Sequence, residues 1–259
     1  MLLAVDIGNT NIKFGIFCDE KLMHSIRLGT RHDITSDEIG LSLIQFFQFF
    51  NIQKESIEDV VITSVVPQVM HSMANAIRKY IEKEPLIVGD TLPVTIPNRY
   101  GNPGEVGMDR LVDAVGAYER YGGPLVIVDF GTATTFNAVD RDGGYLGGAI
   151  MPGIQISMKA LFERTAKLPR IELTQPRSVI GKNTVQSMQS GAFYGYSGAV
   201  MNIANLMKQE LGEDTKLIVT GGLSSLFAKG VAGIDHVDTS ITLSGLLALY
   251  RRYKQNEKN

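Results

Sequence analysis

Two stretches of the chain, VDIGNTNIKFGIF (residues 5–17) and VDFGTATTFNAVD (128–140), are written on one pattern. Each runs apolar residue, Asp, apolar residue, Gly, then small hydroxyl or amide side chains, then a second run with alternating apolar residues. A short apolar run that stops at Gly predicts a buried strand ending in a turn. The alternation after it predicts a strand with one face buried. A fold that accepts this chain must therefore build the same strand–turn–strand unit twice. Each copy carries a carboxylate, Asp6 or Asp129, at the end of its first strand.

The surroundings of the two copies match as well. After the first come a third strand (22–28) and a helix (35–50) with Ser36 as its expected cap. A strand (58–66) then stops at Pro67, followed by a helix (68–83) and a short strand (85–88). After the second come a strand at 145–150, a helix at 155–165, a long helical stretch at 184–211, and a strand at 215–222. Helices at 223–229 and 244–254 close the pattern. Between the halves lie a Pro/Gly/Asn-rich loop, 91–107, too long for a mere connector, and a helix at 108–123 with Leu111, Val115 and Tyr118 on one face. This order predicts an α/β fold of two similar domains, 1–120 and 121–259, with mixed sheets around an interdomain cleft, where a ligand is expected. Small residues at Gly191, Gly195, Gly198 and Ala199 predict a close internal or subunit contact along the long helix.

Composition narrows the setting. Hydrophobic residues make up 44% of the 259, enough for a sizeable core, and the formal charge of −2 offers no basic surplus for nucleic acid. A single cysteine, Cys18, leaves no internal disulfide and no multi-cysteine metal site, which fits a reducing, cytoplasmic setting. No apolar segment approaches the roughly 18 residues of a membrane span, and MLLAVDIGNT reads as a first strand rather than a leader. The histidines, at 24, 32, 71 and 236, are far apart. The RRYK run at 251–254 is expected at a helix C-terminus, where the dipole favours cations.

The paired turns carry the chemistry. Gly8 and Gly131 allow close backbone approach. Asn9, Thr10 and Asn11 in one turn, and Thr132, Thr134 and Thr135 in the other, supply donors. Such turns suit phosphate oxygens, and a neighbouring carboxylate suits a cation bound to them. Lys13 adds a fixed positive charge. A single Asp-x-Gly-x-Thr is common in ordinary turns; two in matched settings point to nucleotide. A third element, LIVTGGLSSLF (217–227), places paired glycines between strand and helix, where a flat ring could lie on backbone. Competing motifs fail: Gly181-Lys182 is followed by Asn183, and the earlier glycine a P-loop needs is Pro176. No G-x-G-x-x-G follows a strand, and no G-x-S-x-G elbow is present.

The three elements together resemble the phosphate 1, phosphate 2 and adenosine motifs of the acetate and sugar kinase/Hsc70/actin superfamily. DIGNTNIK (6–13), Tyr100-Gly101-Asn102-Pro103, GMDR (107–110), DFGTATT (129–135), GGAIMPG (147–153) and Gly-Lys-Asn-Thr (181–184) resemble type III pantothenate kinase over nearly the whole chain. The resemblance implies ATP-dependent phosphorylation of pantothenate to 4′-phosphopantothenate, the first step of coenzyme A synthesis. It also implies Mg²⁺, a monovalent cation (K⁺ or NH₄⁺) and a homodimer. By the family pattern Asp6, Ile7, Gly8, Asn9, Thr10, Asn11, Ile12 and Lys13 bind ATP phosphates, with Thr132 also touching ATP. Asp109 is the general base. Tyr100, Gly107, Met108, Arg110 and Thr184 share the pantothenate pocket with it, Thr184 from the partner subunit. Asp129 holds K⁺, and Asp6 organises Mg²⁺ through water. Without the resemblance, Asp109 also reads as a first-turn charge on its helix, and Asp113, one turn further on, is its decoy. A different class stays open: an ATP-binding regulator without transfer activity, resembling the Bvg accessory factor proteins. A third is a superfamily kinase or phosphatase for another small substrate.

Overall fold

The computed structural model describes residues 1–257; residues 258 and 259, the end of the expected second domain, lie outside the described residues. The chain forms two compact units. One comprises Met1–Ile96, Asn102–Glu119 and the chain from Ile241 on; the other comprises Pro97–Gly101 and Arg120–Ser240. The main passage between them falls at residues 119 and 120. The loop around Tyr100 and the C-terminal helix each belong to the unit that a simple division at residue 120 does not give them.

In the first unit β1 (Leu2–Ile7), β2 (Asn11–Cys18) and β3 (Lys21–Gly29) form an antiparallel meander. After α1 (Ser36–Phe49), strand β4 (Asp59–Ser64) returns parallel to β1. After α2 (Pro67–Ala76, continued by a π turn to Ile81), β5 (Leu86–Ile87) adds a parallel edge. The sheet order is β3-β2-β1-β4-β5. Alternation along β1 sends Leu3, Val5 and Ile7 to one face, against α1 and α2, and Leu2 and Ala4 to the other. Phe14 and Ile16 of β2 are fully buried; each such side chain contributes about 1.5–3 kcal/mol. The cap of α1 is Thr35, one residue before the expected Ser36. Its hydroxyl accepts from the Glu38 N–H and the Glu38 carboxylate accepts from the Thr35 N–H, a reciprocal box that Ser36 cannot form with the same glutamate. Helix α3 (Met108–Tyr121) follows the long loop.

The second unit repeats the plan. Strands β6 (Leu125–Phe130), β7 (Ala133–Val139) and β8 (Tyr145–Pro152) are antiparallel, and α4 (Ile154–Glu163) follows. Helix α5 (Thr184–Ser190) runs through a π turn into α6 (Tyr196–Leu211). Next come β9 (Lys216–Gly221), parallel to β6, α7 (Ser224–Ala228), and the two-residue strand β10 (His236–Val237), which the sequence reading did not include. The order β10-β9-β6-β7-β8 is that of the first sheet. Val126, Val128 and Phe130 pack against Phe193, Tyr196 and Phe227.

Helix α8 (Ile241–Glu257) then closes the second face of the first sheet with Leu243, Leu246, Leu247 and Leu249. It crosses α3 where both helices carry glycine. A Cβ on Gly116 would meet the Ile241 carbonyl and the Gly245 backbone, and one on Gly245 would meet the Val112 carbonyl. Of the RRYK run Lys254 stands in the last turn of α8, as expected of a cation there, and Arg251 and Arg252 lie a turn further in. Arg251 pairs with Glu20 (2.7 Å), Arg252 with Glu119 (2.6 Å) and Lys254 with Asp59 (3.3 Å), tying the helix to its unit.

Candidate active site

The two Asp-Gly turns are homologous in position and different in detail. In the first unit Ile7 pairs with Ile12 and residues 8 to 11 make the turn, closed by the Gly8 N–H donating to the Asn11 carbonyl (3.0 Å). In the second, Phe130 pairs with Thr134, so the turn is one residue shorter. The first turn is braced from β3: the Thr30 hydroxyl donates to the Gly8 carbonyl (2.7 Å) and its N–H to the Thr10 carbonyl (2.9 Å). The second is braced from β8: the Gly153 N–H donates to the Thr132 carbonyl (3.1 Å), and a Cβ on Gly153 would strike that same carbonyl. Asn9, Thr10 and Thr132 stand exposed at the tips of these turns.

Each aspartate sits in the middle of a three-strand rung. Asp6 lies opposite Lys13 on β2 and Thr63 on β4; Asp129 lies opposite Thr135 on β7 and Thr220 on β9. Register partners project from the same face of a sheet. Lys13 Nζ is 3.9 Å from Asp6 Oδ2, with both side chains largely covered. At that position the second unit carries the hydroxyl of Thr135 instead of an ammonium. The hydroxyls of Thr63 and Thr220 are buried and make no hydrogen bond. Gly221, at φ +91°, lies against Asp129, where a Cβ would collide with the carboxylate. A carboxylate among neutral oxygens, with one buried hydroxyl left unsatisfied, is a donor set for a hard cation, so these residues fit K⁺ or NH₄⁺. Among the described residues no three His, Cys, Asp or Glu side chains are grouped to hold a metal.

GMDR forms the start of α3. Gly107 accepts the first helical hydrogen bonds, from Arg110 N–H (3.1 Å) and Leu111 N–H (3.4 Å), and the Asp109 carboxylate folds back over it. A Cβ on Gly107 would stand 2.5 Å from Asp109 Oδ1, so glycine leaves room for the carboxylate. Oδ1 accepts the Arg110 N–H at 2.9 Å. Burial raises the Asp109 pKa above the ordinary carboxylate value, and the Arg110 N–H and guanidinium oppose that rise without cancelling it. Met108 packs over Gly89. Asp113 is buried under α8 and accepts a hydrogen bond from the Thr242 hydroxyl (2.7 Å).

Tyr100 and Thr184 both belong to the second unit. The Tyr100 ring lies on Gly147 of β8, beside Tyr145 with ring centres 6.3 Å apart. Thr184 opens α5. Asn183 caps that helix by accepting from the Gln186 N–H (2.9 Å), and Gly181 permits the tight approach to Gln186 and Ser187, which explains the Gly-Lys-Asn-Thr run locally. Thr184 lines a cavity of about 650 Å³, with Ile154, Met158, Leu161, Met188 and Tyr196 among its walls. The sequence reading missed Thr30, Thr63 and Thr220. Thr220 carried a usable signal, since it precedes the paired glycines of the third motif.

Comparison with known proteins bears on the fold and the family. Over its full length the chain resembles a conserved putative Baf family transcriptional activator from Campylobacter jejuni (TM-score 0.61, 20% identity, 98% of this chain and 99% of that one). It also resembles the activator of 2-hydroxyisocaproyl-CoA dehydratase from Clostridium difficile with bound ADPNP (TM-score 0.57, 14% identity, 99% and 97%). A putative 2-dehydro-3-deoxygalactonokinase from Sinorhizobium meliloti is similar too (TM-score 0.57, 14% identity, 97% and 96%). At these identities the likeness establishes the actin-like ATPase and sugar-kinase fold. The type III pantothenate kinase family model matches residues 2–206. With that match spanning the GMDR helix, both Asp-Gly turns and the Gly-Lys-Asn-Thr cap, the chain belongs to the type III pantothenate kinase family.

Proposed function

We propose that, in the ATP-dependent phosphorylation of pantothenate that its family carries out, this chain uses Asp109 as the general base. The observation that carries the reading is the Asp109 carboxylate itself: largely buried, folded over Gly107, and raised in pKa by its burial. The pantothenate primary hydroxyl gives its proton to that carboxylate as its oxygen bonds to the γ-phosphorus. The bond to the β–γ bridging oxygen breaks, and ADP leaves with the electron pair. A base with a raised pKa suits this transfer better than an ordinary aspartate, because its conjugate acid is closer to the working pH.

The remaining roles follow from the same chemistry. Residues 6–13 and Thr132 hold the ATP phosphates through turn N–H groups and hydroxyls, with Lys13 supplying fixed charge. A divalent metal accompanies ATP, and Asp6 organises it through water. Asp129 holds a monovalent cation, a reading supported by the exchange of Lys13 for Thr135 between the two rungs and by the unsatisfied Thr220 hydroxyl. Tyr100, Gly107, Met108, Arg110 and Thr184 bind pantothenate. The chain acts as a homodimer through its second unit. Where a Cβ would stand on Gly191, Gly195 or Gly198 there is open space, and Ile156, Leu161, Val179 and Ile180 are exposed on the same unit.

The test is ADP release from MgATP with and without pantothenate, in K⁺ and in Na⁺, by the parent protein and by Asp109→Asn. Pantothenate-dependent release that needs K⁺ and is lost in the variant is the expected result. Folded, ATP-binding protein without pantothenate-dependent release would move the reading to a regulator or to another acceptor.

A further inference from the structure

The loop that carries Tyr100 reaches the second unit as an extra rung on its sheet. The Tyr145 N–H donates to the Pro97 carbonyl and the Arg99 N–H to the Tyr145 carbonyl, both at 2.8 Å, so Asn98 bridges to the first residue of β8. One charge contact pins this rung. Arg99 Nη1 stands 2.5 Å from Asp140 Oδ2, an ion pair rather than an aligned hydrogen bond. Asp140 is itself held rigid. Its Oδ1 accepts from the N–H groups of Asp142 (2.9 Å) and Gly144 (2.8 Å) in the β7–β8 turn. Gly144 leaves the space through which Arg99 arrives: a Cβ there would stand 2.7 Å from Asp140 Oδ2 and 2.8 Å from Arg99 Nε. The next residue, Tyr100, then lays its ring on Gly147, whose φ of +133° disfavours any side chain and whose absent Cβ would stand 3.2 Å from Cδ2 and Cε2 of the ring. The ring therefore takes its place from the β7–β8 hairpin, through a flat glycine below and an ion pair one residue upstream.

We propose that Arg99 and Asp140 are positioning residues for Tyr100 and that through it they set the affinity for pantothenate; this rests on the reading of Tyr100 as a pantothenate-binding residue. The two charges face each other. Arg99 is half exposed and directed at Asp140, and the carboxylate it holds is already committed to the turn. A half-exposed ion pair is worth at most about 1 kcal/mol, which as a loss of positioning corresponds to about a fivefold change in KM.

The experiment is a double-mutant cycle on pantothenate KM, with ATP KM, kcat and Tm read in parallel, on Arg99→Met, Tyr100→Ala and the double variant. Asp140→Asn is a second route to the same loss. Arg99→Met is expected to raise pantothenate KM about fivefold while leaving ATP KM unchanged, and to add nothing once Tyr100 is Ala. Arg99→Lys, which keeps the positive charge beside an intact Asp140 turn, is expected to recover most of the affinity. If Tyr100→Ala leaves pantothenate KM unchanged, the substrate reading of Tyr100 fails and the proposal falls with it. If Tyr100→Ala raises KM but Arg99→Met does not, only the positioning role is overturned. If Arg99→Met still raises KM in the Tyr100→Ala background, Arg99 acts on the pantothenate carboxylate directly, and the proposal is wrong.

Discussion

Asp109→Asn changes one oxygen of a largely buried carboxylate into an amide of nearly the same size, and the proposed role gives the change two opposite consequences. The amide oxygen can still accept the Arg110 N–H, so the helix start keeps its geometry. What is lost is the proton acceptor. Removing a positioned general base costs about 10²–10⁴ in kcat, or roughly 3–5 kcal/mol of barrier. Stability moves the other way. The pKa of Asp109 is raised by burial, so the folded state holds the proton more tightly than the unfolded one. The group's contribution is full below the unfolded pKa and is lost as pH rises through the folded pKa. At neutral pH the carboxylate is therefore a net cost to the fold, and the uncharged amide removes it. Asp109→Asn should melt above the parent near neutral pH, with the gap closing as pH falls through the raised pKa towards the ordinary carboxylate value of about 3.9. A coupled ADP assay and thermal scans from acid to neutral pH measure both. In the parent, kcat/KM should fall as pH drops through the same pKa. A variant that keeps more than a tenth of the parent kcat, or one less stable than the parent at neutral pH, would refute this account of Asp109.

Thr135→Lys places an ammonium opposite Asp129, as Lys13 stands opposite Asp6. With K⁺ held at Asp129 as proposed, the parent should melt higher in K⁺ than in Na⁺, and that difference should shrink or vanish in this variant, read with no substrate present. Lys13→Met removes the fixed charge of the first turn and should raise ATP KM by about tenfold or more, with pantothenate KM little changed in steady-state kinetics. Gly245→Val drives a side chain into the Val112 carbonyl at the crossing of α3 and α8. Overpacking of about 1–3 kcal/mol, at roughly 2–4 °C per kcal/mol for a chain of this size, should show as a Tm several degrees lower. A Cβ on Gly195 meets no atom within 4 Å, so Gly195→Ala should leave the fold intact, and by the proposed dimer contact it should shift the molecule towards monomer by light scattering.

Much of the fold was legible because it is written in local patterns. The duplicated strand–Gly turn–strand units carry their own alternation, and the β6–β8 meander and the mixed pairing with β9 follow from them. Asp6, Asp129 and the GMDR helix were legible for the same reason: each is a short motif whose residues contact one another. The unread parts depend on distant partners. Thr30 braces a turn twenty residues earlier, and the Thr63 and Thr220 hydroxyls gain meaning only from the register with β1 and β6. Arg99 looks like any loop cation until Asp140 is folded beside it. The cap at Thr35 could have been read, since Glu38 stands three residues after Thr35 and only two after Ser36. RRYK was legible only in part: Lys254 does stand in the last turn, but the run's ion-pair partners, Glu20, Asp59 and Glu119, belong to three separate segments.

The return of α8 to the first unit has a consequence for the order in which the molecule is made. The face of the first sheet bearing Leu2, Ala4 and Val61 gets its full apolar cover only when Leu243, Leu246 and Leu249 arrive. A ribosome adding roughly 5–20 residues per second leaves that face short of its cover for on the order of ten seconds after α3 has emerged. The second unit, apart from its five-residue loop, is a single continuous run of chain and needs nothing made after it. The part of the molecule translated first is therefore completed last. An incomplete nascent chain leaves an apolar sheet face short of its cover, and loss of the final helix should be felt at the turn that follows β1, at the opposite end of the sequence.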